Sequence, residues 1–336
     1  DSTMALVTEA LGMMISNGAS APAVSAERRR IAEETGKVAV EIANKSFNPK
    51  SFLTLKNFKN ALTVLSAIGG STNGIVHLTA MAGRLGIDID LNEFDKMTKD
   101  TPMIVDLKPS GSGYMEDLFK SGGLPRILNE LKDYIYLDAI TVTGETIKEI
   151  IEKNKYNWRQ KVIRKVENPI FDKGSIVVLR GNLAPKSAII KQSAASIDLL
   201  DHEGIVEVFE NLEDLANRID SDDLNVTKDS ILLLKNIGPI GAPGMPEAGL
   251  IPIPKKLAKQ GVNDMVRISD GRMSGTAAGT IILHVCPEAA AGGTLDIVKS
   301  GDIIQLDVKQ RLLELKLSDQ EIASRIGATI GVDFIY

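Results

Sequence analysis

Ser274 and Thr276 stand on either side of Gly275 in the stretch Ser269-Asp270-Gly271-Arg272-Met273-Ser274-Gly275-Thr276. Asp264-Met265-Val266-Arg267-Ile268, just before it, is apolar and β-branched enough for a short buried strand. Gly271 and Gly275 break that pattern, and Ala277, Ala278, Gly279 and Thr280 predict a closely packed helix opening there. A strand that ends in a tight loop at a helix start lets a ligand reach the backbone, whose free N–H groups favour an anion. The two hydroxyls would then lie beside that anion. In an isolated Ser-Gly-Thr such hydroxyls are helix caps. This one continues through His284-Val285-Cys286-Pro287-Glu288 to Gly292-Gly293, which makes the stretch a candidate active site.

Two further loops follow strand-like runs. Gly238-Pro239-Ile240-Gly241-Ala242-Pro243-Gly244-Met245-Pro246-Glu247 carries three glycines and three prolines. It is stiff, and its one acidic residue, Glu247, is a hard oxygen donor of the kind Mg²⁺ takes. Alone, it would read as an exposed loop glutamate. Arg180-Gly181-Asn182-Leu183-Ala184-Pro185 is the other, and Lys191 follows the next strand-like run. Loops at strand ends commonly build sites. The sequence has no GxGxxG, no phosphate-loop lysine motif, no HExxH and no GxSxG elbow. His284 follows Ile281-Ile282-Leu283 and reads as a packing residue, as does His77 among its apolar neighbours.

The elements that must position these residues fall into two groups. Up to about residue 155 helical spacing dominates. Ser25 caps a helix that carries Arg28-Arg29-Arg30 on a solvated face, and Phe58, Ala61, Leu62, Leu65 and Ile68 share one helical face. Gly69-Gly70-Ser71-Thr72-Asn73 then makes a tight junction to a helix over 75–85. Met103-Ile104-Val105 is a candidate strand. Around Tyr156 to Lys173 the chain turns polar, and the boundary is drawn between 165 and 166. Beyond it β signals dominate, over 175–179, 188–190, 206–209, 231–234, 265–268, 303–308 and 312–317. Helices are expected around 212–219, 255–260 and 318–325, the last with Ser318 and Glu321 at capping-box spacing. Seven strands with few helices predict a barrel or a closed mixed sheet.

Composition excludes several classes. A net charge of -5 without a basic, aromatic-interleaved cluster argues against nucleic acid as partner. No apolar run is long enough to span a bilayer. A single cysteine, Cys286, precludes an internal disulfide, fits a reducing compartment such as the cytoplasm, and cannot alone hold an iron–sulfur cluster.

Taken together, Gly69 to Asn73, Gly181 to Pro185, Gly241-Ala242-Pro243-Gly244-Met245-Pro246-Glu247 and Ser269 to Gly293 make the chain similar to the dihydroxy-acid and sugar-acid dehydratases over nearly its whole length. Met245 to Lys256, Asp264 to Asp270, Pro109-Ser110-Gly111, Tyr114 to Asp117 and Gly122 to Pro125 resemble the sugar-acid branch. The resemblance implies an α/β fold: the helix-rich remainder of an α/β N-terminal domain over 1–165, and a C-terminal mixed β-barrel-like domain flanked by helices over 166–336. It implies a hydro-lyase that converts an aldonate to a 2-keto-3-deoxy acid, with Mg²⁺ and an iron–sulfur cluster, expected as 2Fe–2S, acting as Lewis acids. It assigns Ser274 as base for the 2-proton, Thr276 and Gly275 to substrate binding, and Glu247 to Mg²⁺.

In the family the cluster cysteines and most Mg²⁺ ligands, including a modified lysine, lie in an N-terminal portion before the segment like Ser2-Thr3-Met4. The sequence also passes from Ile330 to Gly331 without the arm usual there, so the expectation is a chain incomplete for catalysis that provides no cluster ligand. The expected partners are a small-molecule sugar acid and further copies of the chain, as a homodimer or homotetramer, with no nucleic acid and no membrane. The alternatives are a dihydroxy-acid dehydratase of branched-chain amino-acid synthesis and a non-catalytic sugar-acid-binding module.

Overall fold

The computed structural model describes residues 2–45, 47–172, 174–275 and 277–330. The chain divides into two compact units, Asp1–Ser175 and Ile176–Tyr336.

The first unit is helical. Its main helices are α1 (Ser2–Ala10), α2 (Ala26–Asn44), α3 (Leu55–Ala67) and α4 (Asn73–Arg84). α3 is the centre, with Phe58, Ala61, Val64 and Leu65 wholly buried, and α1 and α4 pack against it. α2 starts where its cap predicts, the Ser25 hydroxyl accepting from Arg28 N at 3.1 Å. Arg28 does not face solvent with the rest of its basic run, because its guanidinium donates to the carbonyls of Gly18 and Ala21. The α3–α4 junction needs its glycine: Gly69 has φ +58°, and a Cβ there would lie 2.8 Å from the Met103 sulfur. Ser71 N donates to Thr3 Oγ1 at 3.2 Å, tying the junction to α1.

Two expectations fail in this unit. Met103 and Val105 are buried, but they make only isolated bridges, to Phe171 and Ile163, and form no strand. These bridges hold the chain through residue 171 to the first unit. His77 is exposed on α4 rather than packed, since it falls on the helix face opposite Ile75 and Leu78. Among the described residues no helix is long and apolar enough to cross a membrane.

The second unit is a sheet of eight strands: β1 (Val177–Leu179), β2 (Ser187–Ile190), β3 (Asp201–Phe209), β4 (Ile231–Leu234), β5 (Arg267–Ser269), β6 (Ile281–Cys286), β7 (Ile303–Asp307) and β8 (Leu312–Leu315). The order is β1-β2-β6-β5-β4-β3-β7-β8. β3, β4, β5 and β6 run parallel, and the pairs outside them are antiparallel. The sheet curls until its edges meet, where Arg180 N donates to Arg311 O at 2.9 Å and Leu313 N to Arg180 O at 2.7 Å. The result is a nearly closed, barrel-like mixed sheet flanked by the helices Leu212–Arg218 and Asp319–Ile330. Closing it removes the open edges that an eight-stranded sheet would otherwise present. Ala188, Ile190, Val206, Val208, Ile231, Leu233, Val266, Ile268 and Ile282 fill the interior.

All seven expected strands are present, and β6, which was not expected, follows the small-residue stretch where a helix was expected to open. Ile281, Ile282 and Leu283 are buried because β6 lies between β5 and β2, so both faces are covered and the run is continuously apolar. Among its described residues, the connection that carries Ser274 therefore crosses from β5 to its parallel neighbour β6 without a helix.

Candidate active site

Two buried charges anchor the Ser274 connection at its base. Arg267, 4% exposed, donates to Asp264 Oδ1 at 2.7 Å, to the carbonyls of Leu250 and Ile251 at 3.1 and 3.2 Å, and to Met265 O at 3.2 Å. Asp264 in turn accepts from the backbone N–H and hydroxyl of both Ser196 and Thr280. Burial alone would raise the Asp264 pKa. The Ser196 and Thr280 hydrogen bonds and the Arg267 charge outweigh it and hold the carboxyl below its ordinary value.

At the other end, Asp270 and Glu288 hold the glycine- and proline-rich loop. Asp270, 2% exposed, accepts from the N–H groups of Asn236, Ile237 and Ala289 at 3.0–3.2 Å. Burial raises its pKa, the three hydrogen bonds oppose that shift, and Glu288 adds to it. Glu288 accepts from Ile240 N and Gly241 N at 3.0 Å. Gly238 is required at this contact, since a Cβ there would lie 2.4 Å from a Glu288 carboxylate oxygen. Two carboxylates at the ends of β5 and β6 thus fix the start of the loop that ends at Glu247.

The two loops meet again through Arg272. Its Nε donates to Met245 O at 2.6 Å and its Nη1 to Glu247 Oε1 at 3.1 Å, while Arg272 O accepts from Gly249 N at 2.7 Å. Glu247 is half-exposed at its end of that pair. Ser274, two residues beyond Arg272, is half-buried in a turn whose Ser274 O accepts from Ala277 N at 3.0 Å. Gly275 is in the same turn, and Thr276 lies outside the described residues. Among the described residues no helix begins here, so the helix start expected to supply anion-stabilising N–H groups is not found. Gly279 has φ +125° and donates its N–H to Ala194 O at 2.9 Å, which turns the chain into β6 instead.

The structure therefore brings Glu247 into the same loop pair as Ser274, with Arg272 as the link. Asp270, Arg272 and Glu288 lie in the stretch read as the site, and Asp264 and Arg267 in the strand before it, but the sequence reading gave none of them a role. The signal was available in Asp270-Gly271-Arg272, which puts two opposite charges around a glycine directly before Ser274. Arg180 to Pro185 does something else: it closes the barrel. The Asn182 side chain donates to Leu315 O at 2.8 Å and accepts from Leu315 N at 2.7 Å, and Leu183 and Ala184 are buried in the core. Gly181 lies so close to β8 that a Cβ would sit 2.1 Å from Leu313 O.

The donors available to a metal are few. Glu247 offers one hard carboxylate, already paired with a guanidinium, and among the described residues no three His, Cys, Asp or Glu side chains gather as a metal-binding group. Cys286 is the one cysteine, half-buried at the end of β6. These residues do not fit a complete Mg²⁺ site or an iron–sulfur cluster. His284 is half-buried on β6 with φ +54°, its N–H donated to Gly271 O at 3.1 Å.

Comparison with known proteins assigns the lineage. Residues 1–150 match the family pattern of the dihydroxy-acid/6-phosphogluconate dehydratase N-terminal region and residues 161–332 that of its C-terminal region. An L-arabinonate dehydratase of Rhizobium leguminosarum bv. trifolii is 47% identical over 320 residues, 95% of this chain and 55% of that protein. An L-arabonate dehydratase of Azospirillum brasilense is 45% identical over 96% of this chain and 56% of its own length. A dihydroxy-acid dehydratase of Thermodesulfovibrio yellowstonii is 42% identical over 96% of this chain and 58% of its own. The chain thus spans a little over half the length of the relatives it matches. Two matching regions that meet near the polar segment, with sugar-acid dehydratases among the most similar relatives, leave one conclusion: the chain belongs to the dihydroxy-acid/6-phosphogluconate dehydratase family.

Proposed function

We propose that the protein is a hydro-lyase that removes water from a sugar acid, an aldonate, to give a 2-keto-3-deoxy acid. The observation that carries this reading is the Arg272 clasp, which joins the Glu247 loop to the Ser274 turn in a chain similar to L-arabinonate and L-arabonate dehydratases. In the reaction the C2 proton leaves to a base and hydroxide leaves C3. The resulting enol tautomerises to the keto acid, so substrate equals product plus water. Ser274 Oγ is the proposed base, Gly275 and Thr276 contact the substrate, and Glu247 is one Mg²⁺ ligand. When bound, Mg²⁺ and an iron–sulfur cluster would supply Lewis acidity, with their other ligands not among the described residues. An unperturbed serine hydroxyl is too weak an acid to ionise near neutral pH, so positive charge must face Ser274. Arg272 brings one such charge into the loop pair. The proposed assembly is a cytoplasmic homodimer or homotetramer.

The test is a panel assay on the whole protein, reading 2-keto acid from a pentonate, a hexonate and a branched-chain 2,3-dihydroxy acid. Product from the aldonates is expected. Turnover of the branched acid alone would make it a dihydroxy-acid dehydratase, and binding of aldonates with no keto acid formed would make it a binding module.

A further inference from the structure

Three basic side chains of the second unit are buried to 4% exposure or less: Lys191, Lys235 and Arg267. Two are fully accounted for. Lys235 Nζ donates to Glu210 Oε1 at 3.1 Å and to Asp296 O at 2.7 Å, and Arg267 has the acceptors described above. Lys191 Nζ is also buried, yet among the described residues it has no hydrogen-bond partner. An ammonium taken out of water with nothing to accept from it is costly, so such groups are retained where something else completes them.

Its place in the barrel indicates what that is. Ile190 pairs with Ile282 and points into the barrel core, whereas Ile189 pairs with Leu283 on the opposite face. Lys191 is the first residue past the end of β2, where the chain leaves the strand for a 3-10 turn over Gln192–Ala194. On the Ile189 face Leu283 and Ile281 form a cluster with Met273 and Ala277, which precede and follow the Ser274 turn. The backbone after Lys191 is stitched to the same connection, Ala194 O accepting from Gly279 N and Ser196 N donating to Thr280 Oγ1. A buried cation without an acceptor among the described residues therefore stands at the end of β2, in the segment that is tied to the connection carrying Ser274.

We infer that Lys191 is a substrate-binding residue of this site, its ammonium holding the carboxylate of the sugar acid. The inference rests on the proposed function. It has a distinct pH signature, because burial lowers the free Lys191 pKa to about 8. The ammonium that binds a carboxylate is then lost as pH rises through about 8.

The experiment measures binding of L-arabinonate and of L-arabinitol, which keeps the hydroxyls but has no carboxylate, to the whole wild-type protein and to Lys191→Met. The wild type should prefer arabinonate, with affinity falling above pH 8. The variant should lose roughly tenfold or more in arabinonate affinity and the pH dependence, leave arabinitol unchanged, and melt no lower than the wild type. Wild-type arabinonate affinity in Lys191→Met, or equal losses for both ligands, overturns the inference. If the variant does not fold, the wild type alone decides: an arabinonate affinity flat from pH 6.5 to 9.5 overturns it. A wild type that forms keto acid while Lys191→Met keeps its KM sinks the anchor and spares the function. A wild type that forms no keto acid and binds arabinonate no better than arabinitol sinks both.

Discussion

The base and the tip of the Ser274 connection are built on opposite terms. At the base, the Asp264 and Arg267 side chains are covered and their charged groups fully engaged, so the carboxyl lies below its ordinary pKa and the guanidinium spans three carbonyls. At the tip, Arg272 and Ser274 are half-buried, Glu247 is exposed, and a side-chain ion pair joins Arg272 to Glu247. The base spends its charges on backbone geometry. The tip keeps polar atoms partly exposed. A buried pair is costly to break because one partner's removal strands the other. An exposed pair is worth little to stability. Rigidity at the base is therefore compatible with adjustable chemistry at the tip, and each half makes its own prediction.

The largest effect is expected at the base. Asp264→Ala strands Arg267 and unpins Ser196 and Thr280, so stability should fall by about 3–5 kcal/mol, read by denaturant unfolding. The contribution of Asp264 should also show in acid. Its pKa is depressed, so its stabilisation is complete above the ordinary value of 3.8 and fades as pH falls below it. A loss under 1 kcal/mol would mean that the base is no more demanding than the tip.

Ser274→Ala comes next and should separate chemistry from folding. One oxygen is removed from a half-buried turn, so stability should change by no more than about 1 kcal/mol. Substrate affinity should hold while turnover drops about 10²–10⁴-fold, the range for a missing proton acceptor. Measured on one preparation, a less stable variant with a near-native rate would reassign the base, with Thr276 the next residue to test.

The sequence showed the barrel better than it showed the site. Strand runs such as Ile231 to Leu234 and Ile303 to Asp307 declare themselves because β-branched and aliphatic residues concentrate there between turn signals. β6 was missed since Ile281-Ile282-Leu283 has no period, and a strand buried on both faces cannot be told from a buried helix by periodicity. The Ser274 and Glu247 loops were legible as glycine-rich interruptions at strand ends. The parts that hold them were not. Asp264, Asp270 and Glu288 act through backbone N–H groups up to 68 residues away, as Asp264 does at Ser196, and nothing in local composition marks such a partner. The Gly181–Pro185 loop misled for the converse reason. Its glycine and asparagine look like site residues, but Asn182 serves as a rung of the β1–β8 closure.

The smallest stability effect should come from Glu247→Gln, which tests the tip most directly. The change keeps the side chain's shape and one carbonyl oxygen for Arg272, and the pair it weakens is half-exposed. Loss of the charge should cost less than about 1 kcal/mol of stability. If Glu247 only completes the Arg272 clasp, the activity of the whole protein should follow Mg²⁺ concentration as in the wild type. The expected result is different. Glutamine is a poorer donor to a hard dication than carboxylate, so half-maximal activity should move to higher Mg²⁺ while the melting temperature scarcely changes. An unchanged Mg²⁺ curve would remove Glu247 from the ligand set and leave it its part in the Arg272 clasp.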